Sequence, residues 1–272
     1  MRLHVYLFCH NEEVLLPHTV AHYRRRVPGV TFTILDNESD DRSAAIAREL
    51  GCAVATFGSD GKLDDRIQRD LKNTVWREVA DGWVIVADMD EWLCVTAADL
   101  EREERLGVTI LNTEGWNVLG ESATTTLEDI DLHTLGTGYL HPPQSKAICF
   151  RRPQIAAMHY DYGAHGCAPE GEVKWSRLTY PLKHMSELGH AFIVRKHQVR
   201  YARGQAQRAQ NLGIHYTDDV AEVSAQFAEA RAAARAFSES PFRGMPLWQQ
   251  ALLRRVRRAP GGVLRRLRRV FS

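Results

Sequence analysis

At 272 residues, 44% hydrophobic and 25% charged, the chain has the composition of an ordinary globular protein, which excludes disorder or low complexity for most of it. The net charge of +1 is unevenly spread: residues 241–272 hold nine arginines and no acid, which leaves −8 for residues 1–240 and argues against a nucleic-acid partner. No run approaches the ~20 apolar residues that cross a bilayer. The opening apolar run meets His10, Asn11 and Glu12 too soon for a secretory signal, so a cytoplasmic location is expected. Five widely spaced cysteines without a CxxC pair read as packed thiols rather than as a disulfide or zinc framework.

The first 95 residues alternate strands with helices. A β-rich run at 3–9 leads into a helix expected to begin at the polar residues 10–13 and to run to about 26. A second strand at 30–35 ends on Asp36 and Asn37; Ser39, Asp40 and Asp41 can cap a helix over 42–50, which Gly51 stops. A short strand at 52–57, a Gly/Asp-rich loop and a helix over 65–80 follow. The apolar run 83–87 then leads straight into Asp88, Met89, Asp90 and Glu91. This alternation implies right-handed crossovers and a mixed, mainly parallel α/β sheet flanked by helices. Ligands bind such sheets beyond the carboxyl ends of the strands, where His10, Asp36 and Asp88 to Glu91 fall together. Beyond residue 107 the pattern is mixed: strands at 108–111, 146–150 and 154–158, loops at 121–139 and 159–173, and a helix over 218–237.

Carboxylates crowded at a strand end repel unless a cation compensates them. A divalent Mn²⁺ or Mg²⁺ prefers oxygen ligands and bridges carboxylate to diphosphate, so Asp88 and Asp90 read as a metal and diphosphate site. A solvated acidic turn is the plainer alternative. Asp36 is placed to accept hydrogen bonds from a base or ribose.

The segments FCHNEEVLLPHTVAHY, TILDNESDDRS, Lys72-Asn73 with Trp76, and WVIVADMDEWL occur in the order of a known group. The sequence resembles the family 2-like glycosyltransferases of GT-A fold, in particular a bacterial branch related to the DUF23 or family 92-like group. The resemblance implies a nucleoside-diphosphate sugar donor (UDP, GDP or dTDP type), a divalent metal, and a saccharide or lipid-linked acceptor. Carried across by position, Phe8, His10 and Glu12 would line the nucleotide pocket, and Asp36 would contact the base. Asp88 and Asp90 would hold ribose, metal and diphosphate, and Lys62 or Arg66 would pair with a phosphate or the base. A histidine from the second half would complete the metal shell, His184 first and His165 second. An inverting reaction needs a carboxylate base; Asp161, Glu170, Glu172 and Glu91 are the candidates, and Trp116 and Tyr162 could stack on a sugar.

Residues 247–271 place leucines and valines at helical spacing between arginines, which suits an anionic membrane surface. The expected division is a catalytic domain over 1–240, with a nucleotide half at 1–107, an acceptor half at 108–217 and a helix at 218–237, followed by a basic tail over 241–272. A nucleotidyltransferase is disfavoured because no glycine-rich loop follows the first strand. A non-enzymatic adaptor would leave the three strand-end clusters without a role.

Overall fold

The computed structural model describes residues 1–208 and 216–244. The basic stretch 247–271, and with it the expected membrane-binding tail, lies outside the described residues. In chain order the elements are β1 (Leu3–Cys9), α1 (Leu16–Arg26), β2 (Thr31–Asp36), α2 (Ser43–Glu49), β3 (Ala53–Thr56), α3 (Asp65–Lys72), β4 (Gly82–Asp88), β5 (Glu91–Leu93), α4 (Ala97–Arg105) and β6 (Ile110–Leu119). They continue with β7 (Thr137–Leu140), β8 (Cys149–Arg152), β9 (Ile155–Ala157), β10 (Glu170–Gly171), β11 (Trp175–Glu187), α5 (His190–Arg203), α6 (Gln205–Arg208), α7 (Val220–Ala233), β12 (Arg235–Ala236) and β13 (Phe242–Arg243).

The architecture is the mixed α/β sheet expected from the sequence. Its strands run in the order β12-β7-β6-β8-β4-β1-β2-β3, with β11 beside β6 and carrying β5 and β13. The long ladders are parallel: β2 and β4 flank β1, β3 extends β2, and β11 runs along β6. The antiparallel pairings of β4, β5, β6 and β12 span four residue pairs or fewer. Alternation along β1 explains the two layers. Leu3, Val5, Leu7 and Cys9 pack on Leu16, Val20 and Tyr23 of α1, whereas Tyr6 and Phe8 face a second core with Trp76 and Phe150. On β4, Trp83, Val84, Ile85, Val86 and Ala87 are all buried, as a strand covered on both faces requires.

Register brings the strand ends together: Cys9 pairs with Asp36, and Phe8 with Asp88. The helix expected from residue 10 starts only at Leu16. The reason is that the polar residues before it are bound elsewhere. The backbone N–H groups of Asn11, Glu12 and Glu13 donate to Ser39 Oγ, Ser43 Oγ and Asp41 at 3.0, 2.8 and 3.1 Å, which clamps the loop after β1 onto the loop after β2. The third helix ends at Lys72, with a separate 3₁₀ turn over Val75–Glu78. The final helix stops at Ala233 because the next residues turn extended: β12 pairs with β7, and Phe237 stacks on Trp116 at 4.8 Å. No helix among the described residues is long and apolar enough to cross a membrane.

Candidate active site

Helix α1 positions the acidic turn. Thr19 Oγ1 donates to the Met89 carbonyl at 2.9 Å and accepts from Trp92 Nε1 at 2.8 Å. Tyr23 Oη donates to the Glu91 carbonyl at 3.0 Å and accepts from Leu93 N–H at 3.1 Å, and His22 Nε2 donates to the Leu93 carbonyl at 2.9 Å. Buried polar groups of this kind are costly to leave unpaired, so the turn is held in one conformation.

The turn opens into a cavity of about 1110 Å³ lined by Phe8, His10, Glu12, Asp88, Asp90, Lys146, His165 and His184, and across from them by residues of β7, α5 and α7. Each carboxylate of the turn is met by cations. Asp88 takes Lys72 Nζ at 2.6 Å, with Lys146 Nζ at 3.6 Å. Burial would raise the Asp88 carboxyl, but the two lysines outweigh it and hold it at about 2. Asp90 is ion-paired with Lys196, with His184 Nε2 at 3.3 Å and Arg200 at 3.6 Å. Against the burial, these groups keep its carboxyl well below the usual range. Burial pushes Glu12 up to about 7, with Asp90 adding to the rise and Lys196 and Arg200 opposing it.

His184 Nδ1 lies 2.8 Å from Asn117 Oδ1, and the Asn117 amide donates to Tyr139 Oη and to Glu187. The Asn117 oxygen is therefore the acceptor and His184 Nδ1 the donor, which turns Nε2 toward the Asp90 carboxylate. A histidine oriented by a carbonyl on its other nitrogen is the usual preparation of a metal ligand. Among the described residues no three His, Cys, Asp or Glu side chains form a group that could hold a metal ion by themselves.

At the other end of the cavity, His10 Nδ1 donates to the Asn37 carbonyl at 2.8 Å. Asn37 bonds Ser59 Oγ at 2.8 Å and accepts from Arg203 of α5 at 2.8 Å. The Phe8 and Phe57 rings meet edge to face at 6.0 Å, and Lys72 Nζ lies over Phe8 at 5.1 Å.

Several expected residues fall elsewhere. Asp36 is buried beneath the cavity wall, its Oδ2 accepting from Ser39 N–H at 3.4 Å and its Oδ1 without a partner among the described residues; Asn37 is the lining residue at that strand end. Lys62 and Arg66 do not line the cavity: the Lys62 carbonyl accepts from Arg203, and Arg66 pairs with Asp64 at 3.5 Å. Glu91 is buried and paired with Lys146 at 2.5 Å, so it braces the turn rather than facing the cavity. Asp161 and Glu170 are exposed outside the cavity wall. The first folds its own loop by accepting from Gly166 N–H at 2.7 Å, and the second meets His159 at 3.1 Å. His165 sits on the wall and donates to the Pro143 carbonyl at 2.7 Å. Trp116 is buried, whereas Tyr162 is exposed on the wall with Arg69 over its ring at 4.9 Å. The sequence reading missed Asn117, Tyr139, Glu187, Lys196, Arg200 and Arg203, which converge from β6, β7, β11 and α5.

No family model matches the chain, so the family 92-like branch suggested by the motifs gains no support there, and no curated protein matches it either. Among solved structures, the chain is similar to TarS of S. aureus at 11% identity and a TM-score of 0.38, over 56% of this chain and 28% of that one. It is also similar to residues 1–349 of TarS in complex with UDP (11% identity, TM-score 0.37, 56% of this chain and 47% of that one). For the complex with UDP-GlcNAc the values are 12%, 0.36, 56% and 45%. The alignments thus span less than half of the proteins they match, and at these TM-scores the functional reading rests on the site itself.

Proposed function

We propose that the chain is a glycosyltransferase of GT-A type that moves a sugar from a nucleoside-diphosphate sugar to a hydroxyl of a saccharide or lipid-linked glycan. The observation that carries this reading is the acidic turn at the carboxyl edge of the parallel strands. There Asp88 and Asp90 are buried or half-buried, matched by lysine, arginine and histidine, and open to a cavity large enough for a nucleotide sugar. Such an arrangement binds and stabilises phosphate charge.

In this reading Phe8, His10, Phe57 and Asn37, the last braced by Arg203, receive the base and ribose. Lys196 and Arg200 lie on the wall where the diphosphate charge would build up as the donor bond breaks, and positive groups already fixed in place cost no reorganisation at that moment. Asp90 and His184 would hold a Mn²⁺ or Mg²⁺ ion, with Asp88 nearby and donor oxygens completing the shell, as hard cations share carboxylates with substrate phosphates. That ion would supply Lewis-acid neutralisation of the leaving diphosphate. The arginine-rich composition of 247–271 supports a peripheral role at the inner face of a membrane carrying a lipid-linked acceptor.

The test is a thermal-shift screen of UDP, GDP, dTDP and CMP, each with and without Mn²⁺, on wild type and on Asp90→Ala. A ligand of the native state stabilises it by mass action, ~2.7 kcal/mol at a hundredfold excess over Kd. A Mn²⁺-dependent shift with one nucleotide, abolished in Asp90→Ala, is the expected result. No shift with any nucleotide in folded wild type sinks the proposal.

A further inference from the structure

Strand β11 ends on the cavity wall at Glu187, a residue more than nine-tenths buried. Its two oxygens are unequal. Oε1 accepts from Tyr139 Oη at 2.5 Å and from Asn117 Nδ2 at 3.2 Å, while Oε2 is buried and has no partner among the described residues. Buried carboxylate oxygens are ordinarily hydrogen-bonded, so an orphaned one on the wall of a cavity is suited to an O–H group brought by a ligand.

The surroundings fix that oxygen in place. Asn117 links Glu187 to His184, which in turn faces Asp90, so the orphaned oxygen belongs to the same network as the acidic turn. Strand β7 comes close enough for this contact because Gly138 has no side chain: a Cβ there would stand 2.2 Å from the Asn117 carbonyl. Seven other acids line the cavity, Glu12, Asp65 and Glu229 among them, and four of the seven are engaged. Asp88 and Asp90 carry lysines, and Asp41 and Glu13 accept backbone N–H groups of the clamped loops. Burial also raises the Glu187 carboxyl, with Tyr139 and Asn117 opposing, which makes it a better proton acceptor than a surface glutamate.

Resting on the glycosyl-transfer reading, we propose that Glu187 Oε2 accepts the proton of the attacking hydroxyl, with Tyr139 and Asn117 as positioning residues on Oε1. The hydroxyl oxygen forms its bond to the anomeric carbon as the bond from that carbon to the diphosphate oxygen breaks. The electron pair leaves with the diphosphate, and the hydroxyl proton passes to Glu187 and then to solvent. A base acting on an external hydroxyl in one displacement inverts the anomeric centre.

Water serves as acceptor in the test, so the natural acceptor need not be known. Purified full-length chain with Mn²⁺ is given UDP-, GDP- and dTDP-sugars; phosphorus NMR follows nucleoside diphosphate release and proton NMR the first anomer formed. Glu187→Gln is expected to slow release by ~100-fold or more, the usual scale of general-base loss, with nucleotide Kd by calorimetry changed less than about threefold. Wild type should release the inverted anomer. Glu187→Asp, which withdraws the carboxylate by one methylene, should show the same split if the glutamine variant fails to fold. Tyr139→Phe should lower kcat about threefold to tenfold and leave KM unchanged. Release by Glu187→Gln within threefold of wild type, a retained anomer, or a wild type that binds nucleotide yet releases it from no sugar would overturn the assignment. Wild type that binds no nucleotide overturns the glycosyl-transfer reading instead.

Discussion

The two walls of the cavity treat charge in opposite ways. On the wall made by β1, β4 and α5, Asp88 and Asp90 are met by Lys72, Lys146, Lys196 and Arg200, with His184 reaching across from β11. On the wall made by β6, β7 and β11, the Glu187 carboxylate is buried with one oxygen lacking a partner among the described residues. A surface that must receive an anionic diphosphate needs cations held ready, and cations held in a buried place need carboxylates of their own. A surface that must receive a hydroxyl needs the reverse, a free acceptor. On the proposed reading, this difference would place the diphosphate on the first wall and the hydroxyl on the second.

The contrast can be broken most forcefully at Asp88. Removing it in Asp88→Ala leaves Lys72 and Lys146, both almost fully buried, without that partner. Urea denaturation should register a loss of ~3 kcal/mol, the scale for breaking a buried pair; unchanged stability would mean that the cations are not held by the turn. A pH effect of smaller size belongs to α1. Burial lowers His22 to about 3, with the Leu93 carbonyl opposing and Arg26 adding, whereas an unfolded histidine titrates near 6.5. Between those values the unfolded state binds more protons, so stability falls as pH drops below 6.5. About 2 kcal/mol should be lost by pH 5, and His22→Gln should flatten that slope in denaturation curves at the two pH values.

Arg203→Met sharpens the comparison on the nucleotide side. It frees Asn37 from its brace and should weaken nucleotide binding about tenfold in calorimetry, ~1.4 kcal/mol, with Glu187-dependent kcat little changed. The smallest effect is a control away from both walls. Thr96→Ala breaks the capping box of α4, in which Thr96 and Asp99 serve each other's backbone N–H. About 1 kcal/mol of stability should go, with nucleotide affinity intact.

The first half of this fold was legible because β1 and β4 are largely apolar on both faces and the helices are punctuated by Gly29, Gly51 and the Asp64 cap. The same logic placed Asp88 and Asp90 at the carboxyl edge. The contributions of α5 and β11 to the cavity were not legible, for physical reasons. In α5 the cations Lys196, Arg200 and Arg203 line the cavity alongside Phe192 and Ile193, so charge interrupts the stripe of apolar residues that would mark the helix. Strand β11 mixes Pro181, Lys183 and His184 into its length, and a proline argues against a central strand. Glu187 comes within reach of Asn117 and Tyr139 only through pairing across strands, at separations of 70 and 48 residues. The loop acids Asp161 and Glu170 attracted attention by composition, yet they serve their own loop and a surface pair.

The last described segment has a practical meaning for the basic tail. Residues 235 and 236 add to β7, and residues 242 and 243 add to β11. Between them Glu239 pairs with both Arg26 and Lys183, and just beyond them the Gly244 carbonyl accepts from Thr179 Oγ1 at 2.7 Å. These few residues act as a hem on the sheet. A truncation at 240 would remove β13 and uncover backbone groups of β11 to which another polypeptide could pair, the usual start of aggregation. One made after Gly244 would remove eight of the nine tail arginines and leave the hem sewn.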